Sequence, residues 1–250
     1  MTSQPTFVLV GGEAYEWQGV APEEREFQHT SVPFIGSAYQ ALRSAGVERS
    51  NIITIVQLQD YINTLTRGET GEFTSITGIP PKWYTEQREK TEAKCRLLID
   101  EGGASYDRED VNPATVWSVL LGEPILGSGA QPVVPSDDTG AVIFGIYSHG
   151  DCHPAGTGGE ASEWFAHLPY SATRHDIYDF VAIDGAKDAG RGKNRPHNYL
   201  YSTQLRLIFH RIFERNPNRP IIGLLNYCLS GGNLDFMRRE SVRRHLNVDR

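Results

Sequence analysis

Residues 221–232 read Ile-Ile-Gly-Leu-Leu-Asn-Tyr-Cys-Leu-Ser-Gly-Gly, and this stretch determines the fold that we predict for the chain. Its first part is a short apolar run bounded by Pro220 before it and by Ser-Gly-Gly after it. Such a run is typical of a buried parallel β-strand. The strand would deliver Cys228 at its carboxyl end, where open α/β sheets bind their ligands.

A second stretch has the same form and ends in histidine. Residues 141–150 read Ala-Val-Ile-Phe-Gly-Ile-Tyr-Ser-His-Gly, so a second strand would end at His149 and Gly150. Most buried cysteines are packing residues, but two adjacent parallel strands would bring this imidazole and this thiol together. A histidine beside a cysteine can generate the reactive thiolate, and the Ser-Gly-Gly lets a substrate approach the backbone closely. The pair therefore favours a cysteine nucleophile.

The remaining apolar runs complete an α/β pattern, with a first, central strand at 7–10 that runs into Gly11. Apolar residues recur at helical spacing over 35–42, Gly46 would end that helix, and the β-branched run 51–58 reads as the next strand. Parallel strands joined through a helix cross over right-handed. The sequence thus predicts an α/β fold with parallel strands at 7–10, 52–58, 141–148 and 221–227.

Two later helices flank the cysteine and histidine strands. Asn112 and Pro113 fit the N-cap and first position of a helix that Gly122 would end. Ser202 would be the N-cap of a second helix, which has an apolar stripe at Leu205, Ile208, Phe209, Ile212 and Phe213. Less regular patterns predict a helix at Thr85–Ile99, a surface loop over 122–140, a long loop over 151–198 with one short strand at Asp179–Ile183, and a charged helix at Asn233–Arg250.

Two ligand-binding alternatives fit the sequence poorly. The glycines after the first strand are too few for a dinucleotide loop, and acidic residues follow them. His149, Asp151, Cys152 and His153 lie close together in sequence, but a zinc site normally has a second, distant pair of ligands. We therefore expect no metal and no cofactor, and Cys152 is the main rival to Cys228 as a reactive thiol.

Composition limits the classes of partner. The 250 residues carry a net charge of −7, which argues mildly against nucleic acid. No apolar run approaches the roughly 20 residues of a membrane span, and the first residues resemble a strand and not a signal peptide. With three cysteines and no glycosylation sequon, we expect a cytoplasmic protein, or a lysosomal or vacuolar one if a leader has been removed.

Several stretches resemble the legumain-like cysteine peptidases of the caspase-like clan, the family that includes the catalytic subunit of the GPI transamidase. The run 38–53 is similar to their first helix and second strand, and the run 109–122 to a later helix. The strand ending in His149-Gly150 has a counterpart in the family. Legumains carry Glu-Ala-Cys-Glu-Ser-Gly where this chain has Asn-Tyr-Cys-Leu-Ser-Gly at 226–231.

The resemblance implies a fold and a mechanism. The fold would be a three-layer α/β/α sandwich, caspase-like, with a mostly parallel sheet and helices on both faces, in one domain over residues 1–250. The family has further strands after the cysteine, for which residues 229–250 are short. Cys228 would be the nucleophile and His149 the general acid, and the backbone N–H groups of Gly150 and Cys228 would form the oxyanion hole.

The residues implied for substrate binding depart from the family pattern. The Arg-His pair of legumains falls at Thr30 and Ser31, next to His29, and their acidic residue two before the cysteine is Asn226. Hydroxyl groups cannot replace a bidentate guanidinium, so we expect a strict asparagine preference to be lost. His29, Glu13 or Glu16 would then reach the pocket instead, and the acidic groups among them would favour a basic side chain in the substrate.

Three functions remain open on the sequence. The first is a cysteine endopeptidase that cleaves a peptide or protein substrate through a thioester acyl-enzyme. The second is a peptide ligase or transamidase, in which an amine replaces water. The third is an inactive pseudo-peptidase that uses the fold for protein interaction. The sequence does not determine the oligomeric state.

Overall fold

The computed structural model describes residues 4–12, 31–58, 97–98, 100–101, 104–107, 110–122, 140–148, 150–153, 163–168 and 199–226. Its strands are β1 (Thr6–Gly11), β2 (Ile52–Ile55), β3 (Val142–Tyr147), β4 (Gly150–His153), β5 (Glu163–His167), β6 (Tyr199–Tyr201) and β7 (Ile221–Asn226). Its helices are α1 (Ser31–Ser44), α2 (Pro113–Leu121) and α3 (Ser202–Arg215), with a short 3-10 turn at Arg49–Asn51 before β2.

The main sheet is parallel and has the strand order β2-β1-β3-β7. Phe7 of β1 pairs with Ile52 of β2 and with Ile143 of β3, and Ile143 in turn pairs with Ile222 of β7. The four strands predicted from the sequence are thereby confirmed, with β1 inside the sheet, although β2 is shorter than the predicted 52–58. The parallel order confirms the α/β class.

Helices cover both faces of this sheet because side chains alternate along each strand. On the first face, Leu9 and Ile52 pack with Val32, Ile35 and Tyr39 of α1. On the second face, apolar side chains of β1, β2 and β3 pack with α2 and α3, and Phe144 meets Phe209 edge to face with ring centroids 6.3 Å apart. We call these the α1 face and the α2/α3 face.

Local capping sets the bounds of the helices much as the sequence predicts. The Asn112 side chain accepts a hydrogen bond from the backbone N–H of Thr115 at 3.0 Å, and Gly122 ends α2 with a φ of 66°. Gly46 follows α1 with a φ of 85°. In α3 the cap is Tyr201 and not Ser202, because the Gln204 side chain accepts from the Tyr201 N–H at 2.8 Å.

The prediction of a long loop over 151–198 is wrong for the part that the structure describes. Strands β4, β5 and β6 form a separate antiparallel sheet in that order. Ala166, Leu168 and Leu200 of this sheet and its flank are buried in the same core as α2 and α3. The strands were missed because β4 and β5 contain charged and histidine residues, and aspartate and glutamate are depleted in strands.

The prediction of a buried strand at 221–227 is also wrong in its burial. Strand β7 is parallel as expected, but Ile222 is 48% exposed and Leu224 is 59% exposed. Their neighbours Ile221 and Leu225 pack against the core on the α2/α3 face. Helix α1 packs on β1 and reaches β3 through Phe34, while on the same face of β7 the side chains of Ile222 and Leu224 are exposed.

Other predicted elements lie outside the described residues. These are the strand at Asp179–Ile183, the helix at Asn233–Arg250, almost all of the loop at 122–140 and most of the helix at Thr85–Ile99. Within the described part of the chain, no helix is long and apolar enough to cross a membrane.

Candidate functional site

The carboxyl edge of the main sheet is a row of three paired residues. Gly11 pairs with Tyr147, and Tyr147 pairs with Asn226. Hydrogen bonds continue one residue beyond each strand: the Gly12 N–H donates to the Tyr147 carbonyl at 2.9 Å, and the Ser148 N–H donates to the Asn226 carbonyl at 3.2 Å. The pairing at this edge therefore continues to Gly12 and Ser148.

The register between β3 and β7 is held at both ends. At the start, the Val142 N–H donates to the Pro220 carbonyl at 2.9 Å. The buried Arg219 adds a bond from its Nε to the Gly140 carbonyl, also at 2.9 Å. A hydrogen bond from a charged donor is among the stronger ones in a protein, so these contacts oppose slippage of the two strands.

Four of the residues expected in the site lie outside the described residues: His149, Cys228, His29 and Thr30. Three others are described. Gly150 begins β4 and pairs with Ala166, so it belongs to the second sheet. Ser31 is the first residue of α1, and Asn226 is the exposed last residue of β7. The rival thiol residue, Cys152, lies within β4 opposite Trp164.

The first turn of α1 is pressed against the carboxyl end of β1. A Cβ atom at Gly11 would lie 2.7 Å from Val56 Cγ2, 3.1 Å from Ile35 Cγ1 and 3.3 Å from Ser31 Cβ. Only glycine allows this approach, because real Cβ contacts are longer. Ser31 is buried as a result, and α1 is fixed beside the edge row.

An aromatic pair stands on this edge. The rings of Phe34 and Tyr147 stack with centroids 4.3 Å apart and planes inclined by 18°, yet Phe34 remains 43% exposed. The sequence prediction missed both residues, since the apolar stripe of the helix begins at Ile35 and Tyr147 reads as an ordinary strand residue. The signal that could have found Tyr147 is its position two residues before His149.

The clearest electrostatic cluster lies near the start of β2, away from this edge. Arg43 Nε donates to both Glu101 oxygens at 3.1 and 3.2 Å, and the Tyr39 hydroxyl donates to the same carboxylate. The Tyr39 bond, followed by Arg43, lowers the pKa of Glu101. Burial and the bond to Glu101 raise the pKa of Tyr39 to about 12. This cluster ties α1 to the segment around 101 and is structural.

Among the described residues, no group of three or more His, Cys, Asp or Glu side chains is placed to hold a metal ion. The chain was compared with protein-family models, with curated proteins and with solved structures, and none of them matches it.

Proposed function

We propose that this chain is a cysteine peptidase of the caspase-like type, with Cys228 as nucleophile and His149 as its acid–base partner. The observation that supports it is the register of β3 and β7. Tyr147 pairs with Asn226, and His149 and Cys228 each lie two residues further along. The same register, continued by two residues, would set His149 opposite Cys228 at the spacing of neighbouring strands, about 4.8 Å.

The alternation of the strands supports the same pairing. Tyr147 and Asn226 share the α1 face, and residues two positions apart in a strand point to the same side. Both candidate side chains would then project from that face, within reach of each other. The parallel sheet with helices on both faces is also what a caspase-like sandwich requires. Binding at the carboxyl ends of its strands is the general rule for such sheets.

The reaction would follow from these two groups. The Cys228 thiolate attacks the carbonyl carbon of the peptide, forming a C–S bond, and the tetrahedral oxyanion accepts backbone hydrogen bonds. The C–N bond breaks as His149 gives a proton to the leaving amine. Water then attacks the thioester, loses a proton to His149, and releases the acid and the free thiol.

Labelling with a peptidyl acyloxymethyl ketone tests the proposal. We expect one covalent adduct in the unaltered chain and in Cys152→Ala, and none in Cys228→Ala. His149→Ala should lower the labelling rate by about 10²–10⁴-fold, the usual contribution of a general acid or base. Urea unfolding of each variant checks that the fold survives.

Labelling that is lost in Cys152→Ala and kept in Cys228→Ala would overturn the assignment. Adduct formation without turnover of any peptide, but with transfer to an added amine, would identify the ligase. Absence of any adduct in a folded chain would leave the inactive, interaction-only form of the fold.

A further inference from the structure

We infer that an apolar trough beside the edge row is a substrate subsite that binds a large apolar side chain, aromatic or leucine. The trough is defined by Phe34, Tyr147, Gly145 and Leu224. The inference rests on the proposed peptidase function and adds to it the chemical class of the substrate residue. It concerns the part of the α1 face that α1 leaves uncovered.

Gly145, Tyr147 and Leu224 share one face of the sheet, and Phe34 of α1 stacks on Tyr147 over that face. A Cβ atom at Gly145 would point towards Leu9, whose Cδ2 would be 3.4 Å away, and Leu9 packs on the α1 face. Tyr147 lies two residues after Gly145 and therefore on the same face. Leu224 pairs with Gly145 in the adjacent strand, so its side chain stands on this face as well.

The shape of the trough follows from the one residue that lacks a side chain. Gly145 leaves a depression in the middle of the face, with Tyr147 at its carboxyl end and Leu224 on the β7 side. Phe34 stacks on Tyr147 and stays 43% exposed, while Leu224 is 59% exposed. A patch of large apolar side chains that are exposed to solvent is a usual sign of a binding surface.

The position of the trough points to a substrate. Its carboxyl end, Tyr147, is two residues before His149 in the sequence. Asn226, which pairs with Tyr147, is likewise two residues before Cys228. A peptide held at the proposed pair would have its nearest side chain directed along this face or away from it. In the described part of the chain, the large apolar side chains that are exposed, Phe34, Ile222 and Leu224, lie on this face.

The uncharged residues that line the trough determine which substrate side chain it binds best. None of the four residues carries a charge, and a polar or charged side chain that loses water here would find few partners. An aromatic ring or a leucine would instead cover Phe34, Tyr147 and Leu224, and aromatic pairs gain beyond the area they bury. An apolar side chain should therefore bind better than asparagine or lysine.

Two series of ligands test the inference. The first is a set of acetyl-tripeptide acyloxymethyl ketones that differ only in the residue next to the ketone: phenylalanine, leucine, asparagine or lysine. The second-order rate constant for labelling Cys228 is measured for each. The second is the matching set of acetyl-tripeptide amides, whose binding to the Cys228→Ala chain is measured by calorimetry and by NMR of the Tyr and Phe rings.

We expect the phenylalanine and leucine probes to label at least about tenfold faster than the asparagine and lysine probes, as small changes in an apolar pocket commonly produce. Phe34→Ala should remove about tenfold from the phenylalanine rate and leave the asparagine rate unchanged. Gly145→Ala should act in the same direction by filling the depression. Ile222→Ala is the matched control: it is an exposed residue on the same face of β7, two positions farther from the edge than Leu224, and should change neither rate.

The two proposals fail separately. If Cys228 is labelled but asparagine or lysine is preferred, or if Phe34→Ala leaves the preference intact, the subsite is wrong and the peptidase stands. If no probe labels Cys228, the peptidase is wrong and the amide series decides the subsite. If the phenylalanine amide binds, and binds about tenfold more weakly when Phe34→Ala is added, the subsite is supported. If its binding is unchanged by Phe34→Ala, or if it does not bind, the subsite is overturned.

Discussion

Replacing Gly11 by alanine tests how the first turn of α1 is set against the sheet edge. The added Cβ would lie 2.7 Å from Val56 Cγ2, which is closer than real Cβ contacts, and Val56 is fully buried. A β-branched side chain on a strand end has little freedom to move aside. Gly145→Ala is the matched control, since its Cβ would meet only Leu9 at 3.4 Å.

The size of the effect follows from this difference in contacts. Neither glycine has a φ in the left-handed region, so alanine is conformationally acceptable at both. Alanine gains about 0.5–1 kcal/mol over glycine within a strand, and this gain is common to the two variants. Overpacking costs about 1–3 kcal/mol, and it applies to Gly11 alone. Gly11→Ala should therefore be less stable than Gly145→Ala by about 1–3 kcal/mol.

Urea unfolding measures the difference, with the slope compared to check that the unfolded states are alike. Val56→Ala removes the methyl group that the new Cβ meets, so Gly11→Ala should cost less in that background. The double-mutant cycle should show a coupling of about 1 kcal/mol or more. Equal stability of the two glycine variants, or additive effects of Gly11→Ala and Val56→Ala, would refute the close approach of α1.

Two other predictions concern stability elsewhere in the fold. Asn112→Ala should lower the free energy of unfolding by about 1 kcal/mol because the cap on Thr115 is lost, and Asn112→Ser should retain most of it; equal losses in the two variants, measured in urea, would argue against the cap. For the Glu101 cluster, the lowered pKa of Glu101 means that its contribution is present above the unfolded carboxyl range and is lost as pH falls through the folded pKa. The pKa of Tyr39, raised to about 12, gives the opposite sign: its contribution is present below about pH 10 and is lost as pH rises towards the folded value. Urea midpoints across pH should show a flatter acid limb in Glu101→Gln and a flatter alkaline limb in Tyr39→Phe, and profiles parallel to the unaltered chain would contradict this.

The main sheet could be predicted from the sequence because its strands are buried on at least one face and their apolar runs are short and well bounded. β1, β3 and the helix stripes of α1 and α3 all carry this signal. β4 and β5 do not, since their residues include Asp151, His153 and Glu163. Charged residues such as aspartate and glutamate are depleted in strands, so the local pattern does not indicate one there.

The site was predictable only in part, for a different reason. Strand ends can be read from the sequence, so the carboxyl edge could be placed at the end of the run that contains Asn226. The exposure of Ile222 and Leu224 could not be predicted, because the same apolar run fits a strand that is covered on both faces and a strand that is open on one face. The stack of Phe34 on Tyr147 depends on how closely α1 approaches β1. Gly11 permits this close approach, but a glycine at this position does not by itself predict it.

The register of β3 against β7 links the fold to the proposed chemistry. Because side chains alternate, a slip of one residue would pair His149 with a neighbour of Cys228 and turn the two functional side chains to opposite faces. Bonds that oppose such a slip lie at both ends of the strands: Val142 and Arg219 make them at the start, and the Ser148 N–H makes one to the Asn226 carbonyl at the edge. Arg219 is buried, and its Nε bond to the Gly140 carbonyl joins the residue before Pro220 and β7 to the segment that leads into β3. A residue seven positions before Asn226 can in this way help to hold the register on which the proposed pairing of His149 with Cys228 depends, although it lies far from the edge.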